Sequence, residues 1–454
     1  MNFLDRWFGL REHRSSLRGE LLGGVTTFAT MAYIIVINPA ILAEAGIPIG
    51  ASTVATALTA VFGCLLMGFY ANRPFAVAPY MGENAFIAFT VPAIFLATWQ
   101  QSLGAVFVSG VIFLLLTLLG ARTWLAGAVP ANLKHSFAIG IGLFLLLIGL
   151  YGTGIVTSSL EGEPFGMVRV GPEGRPAVPL KIGEFHRQQL LALGGFALMV
   201  ILTCCRVRGA ILLGIAATAT AGYVLGEAQL PTRVVSWPWE YRLQDIALHL
   251  DIPGALRASF FPVLLTLFLM SFLDTLGTMY ALGSAGELLD KDDNLPDLER
   301  PMVVDSLACV FAAVVGTSTS GAFIESATGI REGARTGLAT VVTGLLFAAT
   351  LFFLPVVQPL QQLKYAYYPA LMVVGVMMFA TARNLDVEDF TELAPAVVSI
   401  VMTVFTYNIA NGLTAGLIVH PVLKLVTFRW REIHPGGAIL AALCAVYYVF
   451  GRPH

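Results

Sequence analysis

Apolar stretches of about 20 residues recur along most of the chain, and short polar loops separate them. An α-helix needs about 20 apolar residues to cross a bilayer, whereas the strands of a membrane β-barrel alternate over about ten residues. The pattern predicts an all-α polytopic membrane protein with about 14 transmembrane spans. The spans lie near residues 20–40, 51–70, 79–98, 103–120, 135–155, 188–205, 209–226, 258–283, 301–315, 318–332, 335–355, 369–382, 391–409 and 411–428. A last apolar stretch, 436–450, either crosses the bilayer or lies on its surface.

Composition supports this assignment and narrows the chemistry. Charged residues make up 12% of the chain and the mean hydropathy is +0.79, whereas soluble domains are about a quarter charged. No basic tract suggests a nucleic-acid partner. The cysteines lie in apolar segments without the spacing of metal ligands, so the sequence predicts neither a metal site nor a cofactor. They are Cys64, Cys204, Cys205, Cys309 and Cys444.

Basic residues are distributed unevenly between the two sets of loops. If the N-terminus is cytoplasmic, the short outer loops hold almost only Lys364. The inner loops then hold Arg73, Arg122, Lys134, Arg206, Arg208, Lys291, Arg300, Arg331, Arg335, Arg383, Arg429 and Arg431. This asymmetry follows the positive-inside rule. We therefore expect a protein of the inner (plasma) membrane with a cytoplasmic N-terminus, in which residues 1–20 are a charged lead-in rather than a signal peptide.

The spans divide into two sets of seven, and an odd number per set gives the two copies opposite orientations. Two stretches of similar sequence suggest such a repeat. "NAFIAF" (84–89) resembles "GAFIES" (321–326), and residues 110–113 resemble residues 344–347. The offsets, 321 − 84 = 237 and 344 − 110 = 234, nearly agree. The sequence thus predicts an inverted repeat, the architecture of many secondary transporters.

The third and tenth spans do not read as uninterrupted helices. The stretch "RPFAVAPYMGENAF" contains two prolines and a glycine, and "GTSTSGAFIESATG" is rich in Gly, Ser and Thr. Broken helices at matching positions of two repeats are the best sequence indication of a binding site near the middle of the membrane. Unwound backbone is tolerated there where it lines a cavity or is buried in protein.

Three acids fall inside predicted spans near these breaks: Glu83 in the third, Asp274 midway along the eighth and Glu325 in the tenth. A carboxylate in a bilayer costs several kcal/mol and marks a functional site by default. No Lys or Arg occupies the middle of a span, so an ion pair there does not account for them. Each acid either binds a ligand or accepts from a buried donor, and Glu83 is alternatively a cap for nearby backbone N–H groups.

The residue types around the breaks suit a small, polar, largely uncharged substrate. Carboxylates accept hydrogen bonds from N–H donors, and helix breaks expose free backbone groups. A planar heterocycle fits this set, and Phe86 or Phe323 could stack on its face. Thr317 and Ser318 either contact such a ligand or satisfy the freed backbone. An anion would require Arg or Lys instead.

Other polar residues in the spans receive structural interpretations. Asn38, just before a proline, is expected to end the first span. Asp305 and Glu332 are expected near cytosolic ends, where they are solvated or cap a helix. His420 is expected to form an interhelical hydrogen bond rather than to relay protons.

Five ordered motifs along nearly the whole chain resemble the nucleobase–ascorbate transporters, and the most similar branch is that of the adenine/guanine/hypoxanthine permeases. They are "FATMAYIIVINPAIL", "GFYANRPFAVAPYMGENAF", "SFLDTLGT", "GTSTSGAFIESATGIREGARTGLATVVTGLLF" and "RWREIHP". The resemblance implies seven plus seven inverted spans, short strands in the third and tenth spans, a homodimer formed through a gate domain, and proton-coupled uptake. It also implies that Asp274 and Glu325 contact the base. Glu83 departs from this branch, which usually has an apolar residue before "NAF".

These inferences lead to one expected function. A core domain (1–130 with 251–356) binds a purine nucleobase and moves against a gate domain (131–230 with 365–454) by an elevator or rocking motion. A proton is the expected coupling ion, with sodium as the alternative, and Asp274 and then Glu83 are the candidates to carry it. The rival function is an anion transporter or channel of the same fold. An intramembrane enzyme is not expected, since the sequence contains no HExxH, paired-Asp protease or Ser/His motif.

Overall fold

The computed structural model describes residues 3–450 apart from 121–123, 125–126, 159–179, 229, 232 and 291–294. The helices of this part are α1 (Phe3–Phe8), α2 (Leu17–Met31), α3 (Ile34–Leu42), α4 (Ile49–Leu66), α5 (Met81–Ala85), α6 (Val91–Phe95), α7 (Trp99–Leu118), α8 (Ala131–Gly152), α9 (Arg187–Cys204), α10 (Ala210–Val224), α11 (Ile252–Ala255), α12 (Phe261–Ala285), α13 (Glu299–Val315), α14 (Ser326–Arg331), α15 (Gly337–Thr350), α16 (Leu354–Gln362), α17 (Lys364–Phe379), α18 (Phe390–Phe405), α19 (Ile409–Val426) and α20 (Pro435–Phe450). The strands are β1 (Val77–Pro79), β2 (Val156–Ser158), β3 (Leu180–Ile182) and β4 (Ser320–Ala322). Arg122 and Lys291 of the charge pattern lie outside the described residues.

Many of these helices are long and apolar enough to cross a bilayer, which makes the chain an integral membrane protein. In the described residues eight segments pass this test by length and composition: Leu17–Ala45, Ile49–Ala71, Trp99–Leu118, Ala131–Gly152, Arg187–Cys204, Ala258–Ala285, Lys364–Asn384 and Ile409–Val426. α15 and α16 form a ninth candidate, bent by 81° at the break between them. α10, α18 and α20 are apolar but shorter. The count of 14 spans stays a prediction.

The two segments predicted to be broken meet in a small antiparallel sheet. β1 opens the third segment and pairs with β4 of the tenth, with Val77 opposite Ala322 and Pro79 opposite Ser320. A helical stretch, Met81–Phe95, follows β1 and contains a π-helical turn at Phe86–Thr90. The strands therefore have an offset of 320 − 77 = 243 residues. The sequence match of 84–89 with 321–326 is not a structural one, because 84–89 is helical whereas 321–322 belongs to β4.

One group of helices surrounds this sheet. α4 packs against β1 and α13 against β4. Each helix also contacts its strand through a cysteine: the Cys64 Sγ accepts from the Val77 N–H, and the Cys309 Sγ donates to the Ser320 carbonyl. α4 packs further against α15, and α7 packs against α13. Helices from both halves of the sequence thus interleave around the two strands.

A second group is built from α8 to α10 and α17 to α19. α8 packs against α17 and α18, and α17 packs against α9 and α10. α8 and α17 approach each other at two glycines, since a Cβ on Gly142 would lie 2.7 Å from the Gly375 carbonyl oxygen. Small residues allow such backbone contact between membrane helices. These are the helices that the sequence assigns to the gate domain.

Charged side chains meet where α18, α19 and the "RWREIHP" segment converge. Lys424 is 1% exposed, and its ammonium group lies 2.8 Å from the carboxylates of Glu392 and Glu432. Arg429 pairs with Glu432 as well, at 2.7 Å. The His420 Nε2 lies 3.1 Å from the Glu392 carboxylate, so His420 makes the interhelical contact that the sequence predicts. This network ties the end of α19 to the start of α18.

Candidate functional site

Glu83 and Asp274 come together beside the two-stranded sheet. Glu83 lies in α5, directly after β1; it is fully buried, and neither carboxylate oxygen has a hydrogen-bond partner among the described residues. Asp274 is half-buried midway along α12, close enough to interact electrostatically with Glu83. Two carboxylates in a low-dielectric site repel each other when both are ionised. The pair can therefore accept a proton or the N–H groups of a ligand.

Glu325, the third predicted acid, has a hydrogen-bond partner of its own. It is half-buried directly before α14, and its Oε1 accepts a hydrogen bond of 2.6 Å from the Tyr33 hydroxyl. Tyr33 lies at the break between α2 and α3. The sequence analysis did not select Tyr33, although a tyrosine in an apolar span needs a partner for its hydroxyl. Tyr33 thus holds Glu325, and α14, which follows Glu325, packs against α12, which carries Asp274. That all three acids serve one site stays a prediction.

The Asn38 side chain holds the segment that leads into β4. Its Nδ2 donates to Thr56 Oγ1 at 2.7 Å and to Thr317 Oγ1 at 2.9 Å, and its Oδ1 accepts from Ser318 Oγ at 3.3 Å. The Thr317 and Ser318 hydroxyls thus fasten this unwound segment to α3. Of their two interpretations, ligand contact or a structural role, these bonds favour the structural role. The expectation for Asn38 was wrong, because it lies fully buried inside α3 rather than at the end of the span.

Asp305 is a buried acid that the sequence analysis placed wrongly. It is fully buried in α13, where its Oδ2 accepts from Thr275 Oγ1 at 3.1 Å and from the Ala322 N–H at 3.0 Å. It was expected near a cytosolic end, either solvated or as a helix cap. The signal that identifies it is the apolar run that begins at Pro301, which puts Asp305 a full turn inside the helix. Asp305 holds β4 to α12 and α13.

Two aromatic rings lie parallel beside the sheet. The Phe323 and Tyr80 ring centroids are 6.2 Å apart and their planes differ by 7°. Both residues are only 5% exposed and directly follow β4 and β1. Phe86, the other predicted stacking residue, belongs to the same hydrophobic cluster and is fully buried. We take Phe323 as the stacking candidate because it directly follows β4 and lies parallel to Tyr80.

The site combines acceptors, hydroxyls and aromatic faces. In the described part of the chain no group of three or more His, Cys, Asp or Glu side chains is arranged to hold a metal ion. The carboxylates of Glu83, Asp274 and Glu325 can accept from N–H donors, and an aromatic face can stack on a planar ring. The arrangement suits a planar, uncharged, N–H-bearing ligand better than an anion.

Comparisons with known proteins agree with this geometry. The family model described as "Permease family" matches residues 18–414. The adenine permease AdeP of Escherichia coli K12 is 34% identical over 451 residues, which cover 99% of this chain and 97% of AdeP. The guanine/hypoxanthine permease PbuG of Bacillus subtilis 168 is 35% identical over 457 residues, which cover 98% of this chain and 100% of PbuG.

Solved structures with a similar fold have far lower sequence identity. The transmembrane domain of the cyanobacterial bicarbonate transporter BicA has a TM-score of 0.62 at 18% identity, with 88% of this chain and 97% of that one covered. The murine anion transporter Slc26a9 in its inward-facing state has a TM-score of 0.60 at 12% identity, with 92% and 69% covered. At these identities the likeness concerns the fold alone.

Proposed function

Since the chain belongs to the nucleobase–ascorbate transporter family of permeases, we propose that it is a secondary active transporter that imports purine nucleobases by cation symport. Membership in this family makes it a transporter rather than an enzyme. The relatives named above are an adenine permease and a guanine/hypoxanthine permease, which supports a purine base as the substrate. Sequence identity of about a third leaves open which purine is preferred.

The observation that carries the proposal is the acid pair beside the parallel rings. A purine base is planar and carries N–H donors on its edge. Phe323 offers a face on which the base stacks, and Asp274 or Glu83 accepts from its N–H groups. Glu325 would join them with acceptor sites of its carboxylate that the bond from Tyr33 does not use. Charge-assisted bonds of this kind contribute about 1.5–3 kcal/mol each.

The same acids argue against the rival function. BicA and Slc26a9 are described as bicarbonate and anion transporters, yet their likeness to this chain is one of fold only. A site that holds two neighbouring carboxylates repels an anion. We therefore favour a neutral base over bicarbonate, sulfate or chloride.

Coupling would come from a proton that the acid pair exchanges. Burial penalises the charged form of a carboxyl group, and mutual repulsion adds to that penalty. Asp274 is the first candidate for the proton carrier because it is half-buried and thus reachable, and Glu83 is the second. Sodium is the alternative coupling ion.

Movement of a core domain (1–130 with 251–356) against a gate domain (131–230 with 365–454) would expose the site to each side in turn. The two packing groups, one around the sheet and one around α8 and α17, support this division. We expect a homodimer through the gate domain, an inverted seven-plus-seven topology, and a cytoplasmic N-terminus in the plasma membrane.

The test is uptake by purified protein in proteoliposomes. Radiolabelled adenine, guanine and hypoxanthine are offered under an inward proton gradient, with xanthine, uracil, bicarbonate and sulfate as competitors. We expect concentrative uptake of at least one purine, competition by other purines, and collapse of uptake when a protonophore is added. If unlabelled purines do not reduce uptake of the labelled base, or if bicarbonate abolishes it, the result would favour the anion function.

A further inference from the structure

Tyr80 is held against the two-stranded sheet by a backbone hydrogen bond and by packing of its ring on a glycine. Its backbone N–H donates to the Thr319 carbonyl at 2.9 Å, which extends the β1–β4 ladder by one pair. Its ring leans back over Gly321, where a Cβ would overlap the ring and hydroxyl of Tyr80. Gly321 and Phe323 are two residues apart and so lie on the same face of the strand. The missing side chain at 321 is therefore what lets the Tyr80 ring stand parallel to that of Phe323.

A chain of hydrogen bonds fixes the far end of this ring. The Tyr80 hydroxyl lies 3.1 Å from Thr275 Oγ1, and Thr275 Oγ1 donates to Asp305 Oδ2 at 3.1 Å. Thr275 has one hydroxyl proton, which goes to Asp305, so Tyr80 must be the donor to Thr275. Asp305 also accepts from the Ala322 N–H of β4. This relay, from Tyr80 through Thr275 to Asp305, thus connects the Tyr80 ring to β4, the strand against which the ring packs.

The geometry points to Tyr80 as a positioning residue that sets the plane in which the base stacks. A planar ligand that stacks on Phe323 is also parallel to Tyr80, because the two ring planes differ by only 7°. The Thr275–Asp305 relay keeps that orientation when the ligand arrives, while the Phe323 ring ends in no polar group that could be anchored. Thr275, which bonds the Tyr80 hydroxyl, directly follows Asp274 in α12, so the anchored end of the ring lies beside the acid pair. This inference rests on the proposed function, since it takes a nucleobase as the ligand.

The test is base binding to purified full-length protein in detergent, with Tyr80→Phe and Thr275→Val as the two variants that cut the relay. Both retain the ring and remove one hydroxyl. We expect each to weaken binding of the preferred purine about 3- to 10-fold, the loss that one buried hydrogen bond supports. The double variant should lose no more than Thr275→Val alone, because both changes break the same bond. Thr275→Ser, which keeps the hydroxyl, should bind like wild type.

Two matched controls come from the same helix. Thr266→Val removes a buried threonine hydroxyl that has no partner in the described residues, and Tyr280→Phe removes the hydroxyl of an exposed tyrosine. Neither should change the affinity. In transport assays the relay variants should raise KM with little change in maximal rate, whereas general damage to the fold would lower the rate and the yield of folded protein.

The outcomes separate this inference from the proposed function. If the wild type binds no purine, the proposed function fails. If the wild type binds a purine and both relay variants bind it equally well, Tyr80 does not position the base. If Tyr80→Phe weakens binding while Thr275→Val does not, the hydroxyl contacts the base directly and the relay is irrelevant. If Thr275→Ser fails to recover affinity, the effect of Thr275→Val was one of packing.

Discussion

At the scale of single residues, Glu325 offers the sharpest test of substrate binding. Its Oε1 accepts from the Tyr33 hydroxyl in the structure, and a carboxylate has further acceptor sites with which it can accept from a base. Glu325→Gln keeps the size of the side chain but replaces one acceptor oxygen by a donor. We expect the purine affinity to fall about 10- to 100-fold, the equivalent of about 1.5–3 kcal/mol, as measured by equilibrium binding.

The control for this prediction is Tyr33→Phe, which removes the donor to Glu325 and keeps the carboxylate. Its affinity should stay close to that of the wild type, because the group that accepts from the base is retained. Wild-type affinity in Glu325→Gln would show that Glu325 only fastens α14 to the break in the first span.

We expect substitutions at Glu83 and Asp274 to have different effects, on stability and pH dependence at Glu83 and on proton coupling at Asp274. Glu83 is buried with both oxygens unpartnered, which is unfavourable for a carboxyl group. Glu83→Gln should therefore leave the thermal unfolding temperature unchanged or raise it, while altering the pH dependence of uptake. Asp274→Asn should abolish accumulation against the substrate gradient but permit exchange of labelled for unlabelled base.

Both variants are compared in proteoliposomes with and without a proton gradient. Proton-driven accumulation by Asp274→Asn would rule out Asp274 as the coupling residue. If neither variant changes the pH dependence of uptake, this pair does not carry the proton, and a sodium gradient becomes the next driving force to test.

The sequence predicts the acids of the site better than their surroundings. Glu83, Asp274 and Glu325 stand out because a charge in an apolar span is conspicuous. Asp305 is equally conspicuous, but its role and that of Asn38 come from partners that are distant in the chain: Asn38 bonds Thr317, and Asp305 bonds the Ala322 N–H. Local sequence cannot specify such long-range partners.

At the scale of elements, hydropathy predicts the positions of the helices well, whereas sequence similarity between the two halves predicts the alignment of the repeats poorly. The helices begin and end within a few residues of most predicted spans, because bilayer thickness fixes their length. The repeat match failed by 243 − 237 = 6 residues, the difference between the strand offset and the sequence offset. Segments rich in Ala, Phe and Ile resemble one another by chance, whereas the strands are defined by their pairing.

Glu20 illustrates how one helix caps another. It is fully buried in α2, yet its carboxylate accepts from the backbone N–H groups of Arg335, Thr336 and Ala339 at the start of α15. A carboxylate at a helix N-terminus is stabilised by the free N–H groups and the helix dipole. Glu20→Ala should destabilise the protein by about 1–3 kcal/mol, because it leaves buried donors unsatisfied.

Thermal unfolding in detergent measures this effect. Glu20→Gln, which keeps one acceptor oxygen, should fall between Glu20→Ala and the wild type, and Glu12→Gln, at an exposed position of the N-terminal segment, should match the wild type. Equal melting temperatures for Glu20→Ala and Glu12→Gln would mean that water or other groups replace the cap.

At the scale of the whole molecule, two ion pairs join the helices around the sheet to those of the second group. Arg208, between α9 and α10, pairs closely with Glu332, which follows α14. Lys364, the first residue of α17, lies 2.9 Å from Glu44, which follows α3. The first pair thus connects a predicted core segment to a predicted gate segment, and the second connects a core segment to the residue directly before the gate segment 365–454.

The two pairs lie at opposite ends of the first span. Gly333, next to Glu332, packs on Gly19 at the start of α2. A Cβ on Gly19 would lie 3.1 Å from the Gly333 carbonyl oxygen. Glu44 lies at the other end of the segment Leu17–Ala45, whose 29 residues extend about 40 Å as a helix. A displacement of the core against the gate by more than a few ångströms would break at least one pair. In the proposed motion of core against gate, the two pairs would therefore oppose opening at opposite faces of the membrane.

Neutralising one pair should shift the conformational equilibrium in a direction set by its end of the molecule. With the predicted cytoplasmic N-terminus, Lys364→Gln should favour the outward-open state and Arg208→Gln the inward-open state. Exposed ion pairs contribute about 0.2–1 kcal/mol, so each shift should be at most about fivefold. The measurement uses a cysteine placed at the half-buried Thr278 of α12, with the exposed Cys204 and Cys205 replaced by serine. Thr278 lies one turn beyond Asp274 toward the predicted cytoplasmic end of α12, so an impermeant thiol reagent is applied to the cytoplasmic face in proteoliposomes of known orientation. Arg208→Gln should label faster than the parent and Lys364→Gln more slowly. Rate changes in the same direction, or none in either variant, would show that these pairs do not control access to the site.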